Sequence, residues 1–173
     1  MLSSLSDFRI GIVSGYFNPI HYGHIEYINS AKSNCELLIA IINSDYQVSL
    51  KGSSLFMDEE HRRKIISNLK SVDVAIISED LDKTQCVTLS KIRKIYPNQK
   101  MYFFNSGDRK QGNLVSAESD VCRSNNIFEI ILDLPKIYSS SKLLKLWHSK
   151  TITKFIWLYI KINGIVDCIL LVN

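Results

Sequence analysis

The sequence lacks the patterns that mark zinc, disulfide-rich and nucleic-acid-binding proteins. Its four cysteines stand far apart, at positions 35, 86, 122 and 168, without a Cys-x-x-Cys pair. Neither a zinc knuckle nor a disulfide framework is therefore indicated. The basic residues are scattered and the formal net charge is only +4, so we expect no surface that follows a nucleic-acid backbone. Small anionic substrates fit this balance better than DNA or RNA.

Long apolar stretches of the kind that direct export or cross a membrane are also missing. Residues 1–9 are rich in serine and contain no apolar core of signal-peptide length, so we expect a cytoplasmic protein with reduced thiols. Residues 155–160 and 165–172 are apolar, but two lysines, a glycine and an aspartate interrupt them. A membrane span needs about 20 predominantly apolar residues. We therefore expect residues 147–173 to form an apolar appendage that packs on the domain or at a homodimer contact, with a membrane anchor as the less favoured alternative.

Residues 1–146 are expected to form one domain, because 173 residues, 46% of them hydrophobic, can bury one substantial core. Short apolar runs alternate there with longer amphipathic stretches. We expect strands at Arg9 to Ser14, Leu37 to Ile42, Val74 to Ile77, Met101 to Phe104 and Phe128 to Leu132, and helices at His24 to Ser33, Asp58 to Leu69, Thr84 to Tyr96 and Ala117 to Ser124. This order predicts an α/β fold: a Rossmann-like, doubly wound, five-stranded parallel sheet with helices on both faces. Leu37 to Ile42 is apolar without alternation, which favours a central strand.

A glycine-containing turn follows the first predicted strand and leads into the first helix. Gly15 permits a sharp turn and a close approach of the backbone to a ligand. Gly23 opens the helix, whose first N–H groups and dipole favour a phosphate. His21 and His24 are three residues apart, so both imidazoles can face one anion. The alternative is a structural turn flanked by two histidines by chance, but the combination of signals favours function. Neither a Gly-x-Gly-x-x-Gly fingerprint nor a Walker loop is present here.

This segment resembles the signature of the cytidylyltransferase-like nucleotidyltransferases, whose usual pattern is Gly-x-Phe-Asp-x-x-His-x-Gly-His. The resemblance covers roughly residues 11–146 and implies that Gly15, Tyr16, Phe17, Asn18 and Gly23 bind the nucleotide. Asn18 stands where cytidylyltransferases usually have aspartate. Asparagine is also common there among adenylyltransferases that act on pyridine mononucleotides, so cytosine and adenine both stay open.

Three later segments extend the resemblance, each with a simpler structural alternative. Residues 51–73 resemble a block of glycerol-3-phosphate and heptose-phosphate nucleotidyltransferases, which implies that Lys51 reaches the triphosphate or acceptor and Arg62 an acceptor phosphate; the alternative is an exposed basic helix start. A turn after the fourth strand is implied near the nucleotide, and an ordinary turn would look the same. A serine segment is implied at the β- and γ-phosphates, although one serine is needed merely to cap a helix. The residues of these last two segments are Gly107, Asp108, Arg109, Tyr138, Ser139, Ser140 and Ser141.

The resemblance implies a nucleotidyl transfer without a covalent enzyme intermediate. An acceptor phosphate oxygen attacks the α-phosphorus of CTP or ATP and pyrophosphate leaves, with His21, His24, Lys51 and Arg62 as catalytic residues. Mg²⁺ is expected to arrive with the nucleotide rather than at a protein metal site. The acceptor is expected to be a phosphorylated small molecule such as glycerol 3-phosphate or a sugar phosphate. Two alternatives stay open: a pyridine-mononucleotide adenylyltransferase, and a non-catalytic nucleotide-binding or regulatory module.

Overall fold

The structure, a computed structural model, describes residues 8–106, 117–134, 140 and 142–145. The strands in this part of the chain are β1 Arg9–Gly15, β2 Leu37–Ile42, β3 Val74–Ile77, β4 Lys100–Ser106 and β5 Ile127–Leu132. The helices are α1 Tyr22–Lys32, α2 Asp45–Leu50, α3 Glu59–Ser67, α4 Cys86–Ile95 and α5 Ala117–Ser124.

The five strands form one parallel sheet in the order β3-β2-β1-β4-β5. The chain leaves β1 toward β2 on one side and later returns to pair β4 on the other side. The strand order therefore reverses between β1 and β4, and ligands of doubly wound sheets bind at the carboxyl ends beside such a reversal. The predicted Rossmann-like sheet is confirmed. β2 is an interior, buried strand between β3 and β1, as its unbroken apolar sequence suggested, although β1 is the central strand of the five.

Apolar side chains pack on both faces of the sheet. One buried cluster includes Val13 of β1, Phe104 of β4 and Ile28 of α1. The other includes Ile12 of β1 with Leu89 of α4. Each such buried side chain contributes roughly 1.5–3 kcal/mol relative to exposure. Because alternate residues of one strand point to opposite faces, β1 contributes side chains to both clusters. Packing on both faces fixes the position of its carboxyl end.

The helices differ from their predicted bounds where a capping residue decides the start. Helix α1 begins at Tyr22 rather than His24, since His21 has extended backbone angles and occupies the N-cap position. The short helix α2 was not predicted, although Ser44 and Gln47 at its start form a capping box. Asp58, expected inside a helix, instead caps α3 by accepting the His61 N–H at 2.8 Å. The residues at the N-cap positions thus mark these starts more sharply than apolar periodicity does.

The expectations for the appendage at 147–173, and with them the domain boundary at residue 146, fall outside the described residues. Within the described ranges, no helix is long and apolar enough to cross a membrane.

Candidate functional site

The turn after β1 is built around Gly15 and Phe17. The Asn43 N–H, at the end of β2, donates to the Gly15 carbonyl at 3.0 Å. Phe17 has a φ of 48° and is buried, so its ring folds back over the turn. A Cβ at position 15 would lie only 2.9 Å from Phe17 Cζ. Glycine is therefore required by the close approach of a ring, and the left-handed Phe17 backbone stores strain of a kind found at functional sites.

The two histidines lie together at the start of α1. Their rings stack with centroids 3.8 Å apart and an interplanar angle of 17°. The His21 N–H donates to His24 Nδ1 at 3.3 Å, so a neutral His24 carries its proton on Nε2. The Phe17 ring meets His24 edge to face at 5.0 Å. One hydrogen bond and two ring contacts thus fix the orientation of His24.

Both imidazoles are disposed to be neutral. Burial, followed by the positive charges of His21 and Lys51, lowers the pKa of His24 to about 3. Burial also lowers the pKa of His21. Since the ordinary histidine pKa is about 6.5, both rings are neutral at pH 7. A neutral His24 can donate one hydrogen bond to an oxyanion without first losing or gaining a proton.

The first turn of α1 adds its own positive potential beside the rings. The His24 N–H bonds the His21 carbonyl at 2.9 Å, whereas Gly23 lies one residue earlier, among the N–H groups that a helix cannot satisfy internally. The helix dipole places partial positive charge at this end. The helix start and the imidazoles thus offer hydrogen-bond donors without a carboxylate of α1 in its first turn.

Lys51 reaches the same place from the end of α2. Its ammonium lies over the Tyr16 ring, 4.1 Å from the ring centroid. Although much of Lys51 is exposed, partial desolvation lowers its pKa. Its charge contributes to the lowered pKa of His24, so the ammonium and the imidazoles share one electrostatic environment. Burial, and then the charge of Glu118, raise the pKa of Tyr16, which keeps its phenol neutral.

Asn18 fastens the segment that follows Lys51 onto the turn. Its side chain is buried, donates from Nδ2 to the Ser54 carbonyl at 2.8 Å, and accepts at Oδ1 from the N–H groups of Phe56 at 2.8 Å and Met57 at 3.4 Å. An aspartate could replace the accepting oxygen but not the donating nitrogen. The asparagine in this signature therefore has a structural reason in this chain.

Arg62 is buried among protein groups. Its guanidinium donates to the carbonyls of Tyr16 at 2.7 Å, Asn43 at 2.7 Å and Met57 at 3.0 Å, and pairs with Asp45 at 2.6 Å. The exposed basic helix start considered as an alternative is wrong for this residue, which is 1% exposed. In this arrangement Arg62 joins the ends of β1 and β2 to the start of α3, and its role toward an acceptor phosphate stays a prediction. The sequence offered no signal for its partners.

Only Ser140 of the serine segment lies among the described residues. Its hydroxyl donates to the Pro19 carbonyl at 2.9 Å, which places Ser140 directly against the turn after β1. The other residues expected in the two later segments, Gly107, Asp108, Arg109, Tyr138, Ser139 and Ser141, lie outside the described residues. The structure therefore brings together Gly15, Tyr16, Phe17, Asn18, His21, Gly23, His24, Lys51, Arg62 and Ser140 around one turn.

A polar cluster not anticipated from the sequence lies at the neighbouring end of β4. Glu129 accepts hydrogen bonds from Asn105 at 2.7 Å and from Ser119 at 2.8 Å. It therefore ties β4, β5 and α5 together on the far side of the strand reversal. In the part of the chain that the structure describes, no group of three or more His, Cys, Asp and Glu is arranged to hold a metal ion.

The fold and this site define a nucleotide-binding α/β protein, with neutral donors and a lysine gathered where the strand order reverses. The sequence profile of the cytidylyltransferase-like family matches residues 12–146. The chain belongs to this family of nucleotidyltransferases.

Two curated relatives agree with that membership, and a solved structure agrees with the fold. The bifunctional protein HldE of Nitrobacter winogradskyi is 31% identical over 140 residues, which are 79% of this chain and 26% of the relative. The FAD synthase of Picrophilus torridus is 38% identical over 71 residues, 41% of this chain and 51% of that protein. The crystal structure of a lipopolysaccharide core biosynthesis protein from Thermoplasma volcanium superposes with a TM-score of 0.55 at 20% identity, covering 74% of this chain and 98% of that one. The chain thus spans about a quarter of the length of the HldE proteins it matches.

Proposed function

We propose that this chain transfers CMP or AMP from CTP or ATP to a phosphorylated small-molecule acceptor and releases pyrophosphate. The observation that carries the proposal is the stacked, neutral His21 and His24 pair at the start of α1, with the Lys51 charge beside it. These donors surround the carboxyl end of β1, at the reversal of strand order. Such an arrangement suits a polyphosphate whose charge changes during the reaction.

The reaction is an in-line displacement. A phosphate oxygen of the acceptor forms a bond to the α-phosphorus as the bond from that phosphorus to the bridging oxygen breaks. The electron pair leaves with pyrophosphate, so negative charge grows on the β-phosphate. The chain's residues contribute position and charge stabilisation rather than a nucleophile.

His24 has the properties that this step requires. Its Nδ1 is occupied by the His21 N–H, so we assign Nε2–H as the donor to a phosphate oxygen. Because the ring is neutral far below pH 7, the hydrogen bond strengthens as charge develops, without a proton transfer. We propose that His21 and Lys51 contact the same polyphosphate, to which the lysine presents a compact positive charge.

Ser140 supports a contribution from the serine segment, because its hydroxyl donates to the Pro19 carbonyl in the turn. We keep the assignment of Ser139, Ser141 and Tyr138 to the phosphates as part of the proposal, together with Gly107, Asp108 and Arg109 at the nucleotide. Arg62 is assigned a supporting role here, since its guanidinium binds Tyr16, Asn43 and Asp45.

The described residues around the turn supply imidazole and ammonium groups rather than a set of oxygen ligands, so they do not fit a resident Mg²⁺ ion. We propose that Mg²⁺ enters as part of the substrate, coordinated by the nucleotide phosphates. A cytoplasmic location and a homodimer are part of the same proposal. Sedimentation of the purified chain tests the homodimer.

The acceptor is proposed to be glycerol 3-phosphate or a sugar phosphate, on the resemblance of residues 51–73. The name FAD synthase for one relative points to transfer of adenylate to a mononucleotide. The resemblance associates an asparagine at position 18 with a second candidate of that kind, a pyridine-mononucleotide adenylyltransferase. A panel of CTP, ATP, GTP and UTP against glycerol 3-phosphate, sugar phosphates and nicotinate mononucleotide, read by pyrophosphate release, decides between these acceptors.

The histidine assignment is tested by His24→Ala. Removing one oxyanion donor lowers kcat by about 10²–10³-fold in comparable sites, so we expect a loss of that order with the circular dichroism spectrum retained. His61→Ala is the matched control, because His61 lies on the exposed start of α3 and should keep wild-type turnover. Unchanged turnover in His24→Ala would remove the imidazoles from the mechanism. If the wild type released no pyrophosphate with any pair of nucleotide and acceptor, the non-catalytic nucleotide-binding module would be favoured.

A further inference from the structure

Lys51 stands out among the site residues because its charge is held by a ring rather than by a carboxylate. The ammonium lies 4.1 Å from the centroid of Tyr16. Across residues 8–106 and the other described segments, no carboxylate lies within ion-pair distance of it. With respect to those described residues, the Lys51 charge is not neutralised and is available to a phosphate.

Tyr16 is itself firmly fixed. Its carbonyl accepts from Arg62 Nη1 at 2.7 Å, and its neighbours Gly15 and Phe17 are locked together in the turn. The ring is half-buried. Lys51, in contrast, ends the short helix α2 and precedes Gly52, which has a φ of 71°. A long, flexible side chain at such a place loses considerable rotamer entropy when it is ordered.

We propose that the Tyr16 ring is a positioning residue that holds the Lys51 ammonium beside His21 and His24, at the place where the polyphosphate binds. This inference rests on the proposed function for the identity of that ligand. The ring face attracts the cation strongly enough to order it, yet offers no charge that competes with a phosphate. Tyr16 therefore acts through Lys51, instead of contacting the nucleotide as the family resemblance implied.

The substitutions that test this change only the side chain at position 16, so the backbone bond from Tyr16 to Arg62 is retained. Tyr16→Phe keeps the ring face and removes the hydroxyl, whereas Tyr16→Leu removes the ring and keeps apolar bulk. Tyr16→Met is a second apolar replacement with a flexible shape, for use if the leucine variant unfolds. Urea unfolding of each variant establishes that it is folded before binding is compared.

The probe is inorganic tripolyphosphate, with binding measured by titration calorimetry. We expect Tyr16→Leu to weaken the Kd by roughly 3- to 30-fold, the range of a cation–π contact, and Tyr16→Phe to stay within about twofold of wild type. In a Lys51→Met background, Tyr16→Leu should have no further effect, because the lysine through which it acts is gone.

Two outcomes would overturn the inference. If Tyr16→Phe and Tyr16→Leu weakened tripolyphosphate binding equally, the effect would belong to the hydroxyl or to packing. If Tyr16→Leu weakened binding as much in the Lys51→Met background as in the wild type, Tyr16 would contact the ligand directly. The nucleotidyl transfer itself is judged by pyrophosphate release from the wild type. Since tripolyphosphate binding requires no turnover, a chain that fails to release pyrophosphate but shows the Tyr16 and Lys51 coupling would lose the proposed function and keep this inference.

Discussion

Replacing Asn18 by aspartate tests how the signature turn holds the segment after Lys51. In the wild type, Nδ2 donates to the Ser54 carbonyl at 2.8 Å while Oδ1 accepts from Phe56 and Met57. In Asn18→Asp, a carboxylate oxygen would face the Ser54 carbonyl, leaving two acceptors in contact at a position that is 3% exposed. Leaving a buried acceptor unsatisfied costs about 1–3 kcal/mol.

The charged carboxylate also strengthens the bonds from the Phe56 and Met57 N–H groups, which offsets part of this cost. We therefore expect a net loss of about 1–2 kcal/mol in the free energy of unfolding. With a urea m-value of about 2 kcal/mol/M, the midpoint falls by roughly 0.5–1 M. Asn18→Ala, which removes all three hydrogen bonds, should lose more stability. Pyrophosphate release should fall in both variants, because the loosened segment directly follows Lys51.

Asn68→Asp is the matched control, since Asn68 also donates from Nδ2 to a carbonyl, that of Lys64 at 2.7 Å, but is exposed to water. It should shift the midpoint much less than Asn18→Asp. If the two aspartate variants were equally stable, the buried donor at position 18 would be unimportant and the reasoning would be refuted.

Two further predictions concern buried charge and acid stability. Arg62→Met should lower the free energy of unfolding by about 3 kcal/mol or more, because the carbonyls of Tyr16, Asn43 and Met57 each lose a donor at a cost of about 1–3 kcal/mol. Lost turnover at unchanged stability would instead favour the acceptor-phosphate role. The folded-state pKa of His24 is lowered to about 3, so burying the neutral ring costs no stability above pH 6.5. As the pH falls from 6.5 toward 3, the unfolded chain takes up a proton that the folded chain does not, and the free energy of unfolding falls. Between pH 7 and 5 this amounts to at most about 2 kcal/mol. His24→Gln should flatten that loss of stability in urea unfolding; equal pH slopes in the wild type and the variant would contradict the prediction.

The strands were largely predictable because each contains a short apolar run, although Glu129 interrupts the run of β5. β2 and β3 have the predicted bounds, while β4 extends to Lys100 and Ser106, beyond its apolar centre. Periodicity carries no information on polar strand ends, whose residues join the ladder through backbone bonds. The helix α2 was missed because its six residues are too few to show a helical repeat.

The site was predictable in outline and not in its internal connections. The spacing of His21 and His24 indicated that the rings could meet, and they stack. The sequence could not indicate that Asn18 and Arg62 turn toward backbone carbonyls, since those partners lie at distant positions in the chain. Contacts between segments depend on how the loops return to the sheet, which local pattern does not specify.

The bond between Ser140 and Pro19 joins residues 121 positions apart. During translation, the whole sheet can pair once β5, which ends at Leu132, has emerged. At that stage the turn would still lack its hydrogen bond from Ser140, which is synthesised later. A nascent chain that stops after β5 would therefore contain the complete sheet but an incomplete phosphate site. Ligand binding should accordingly follow sheet formation as a separate step.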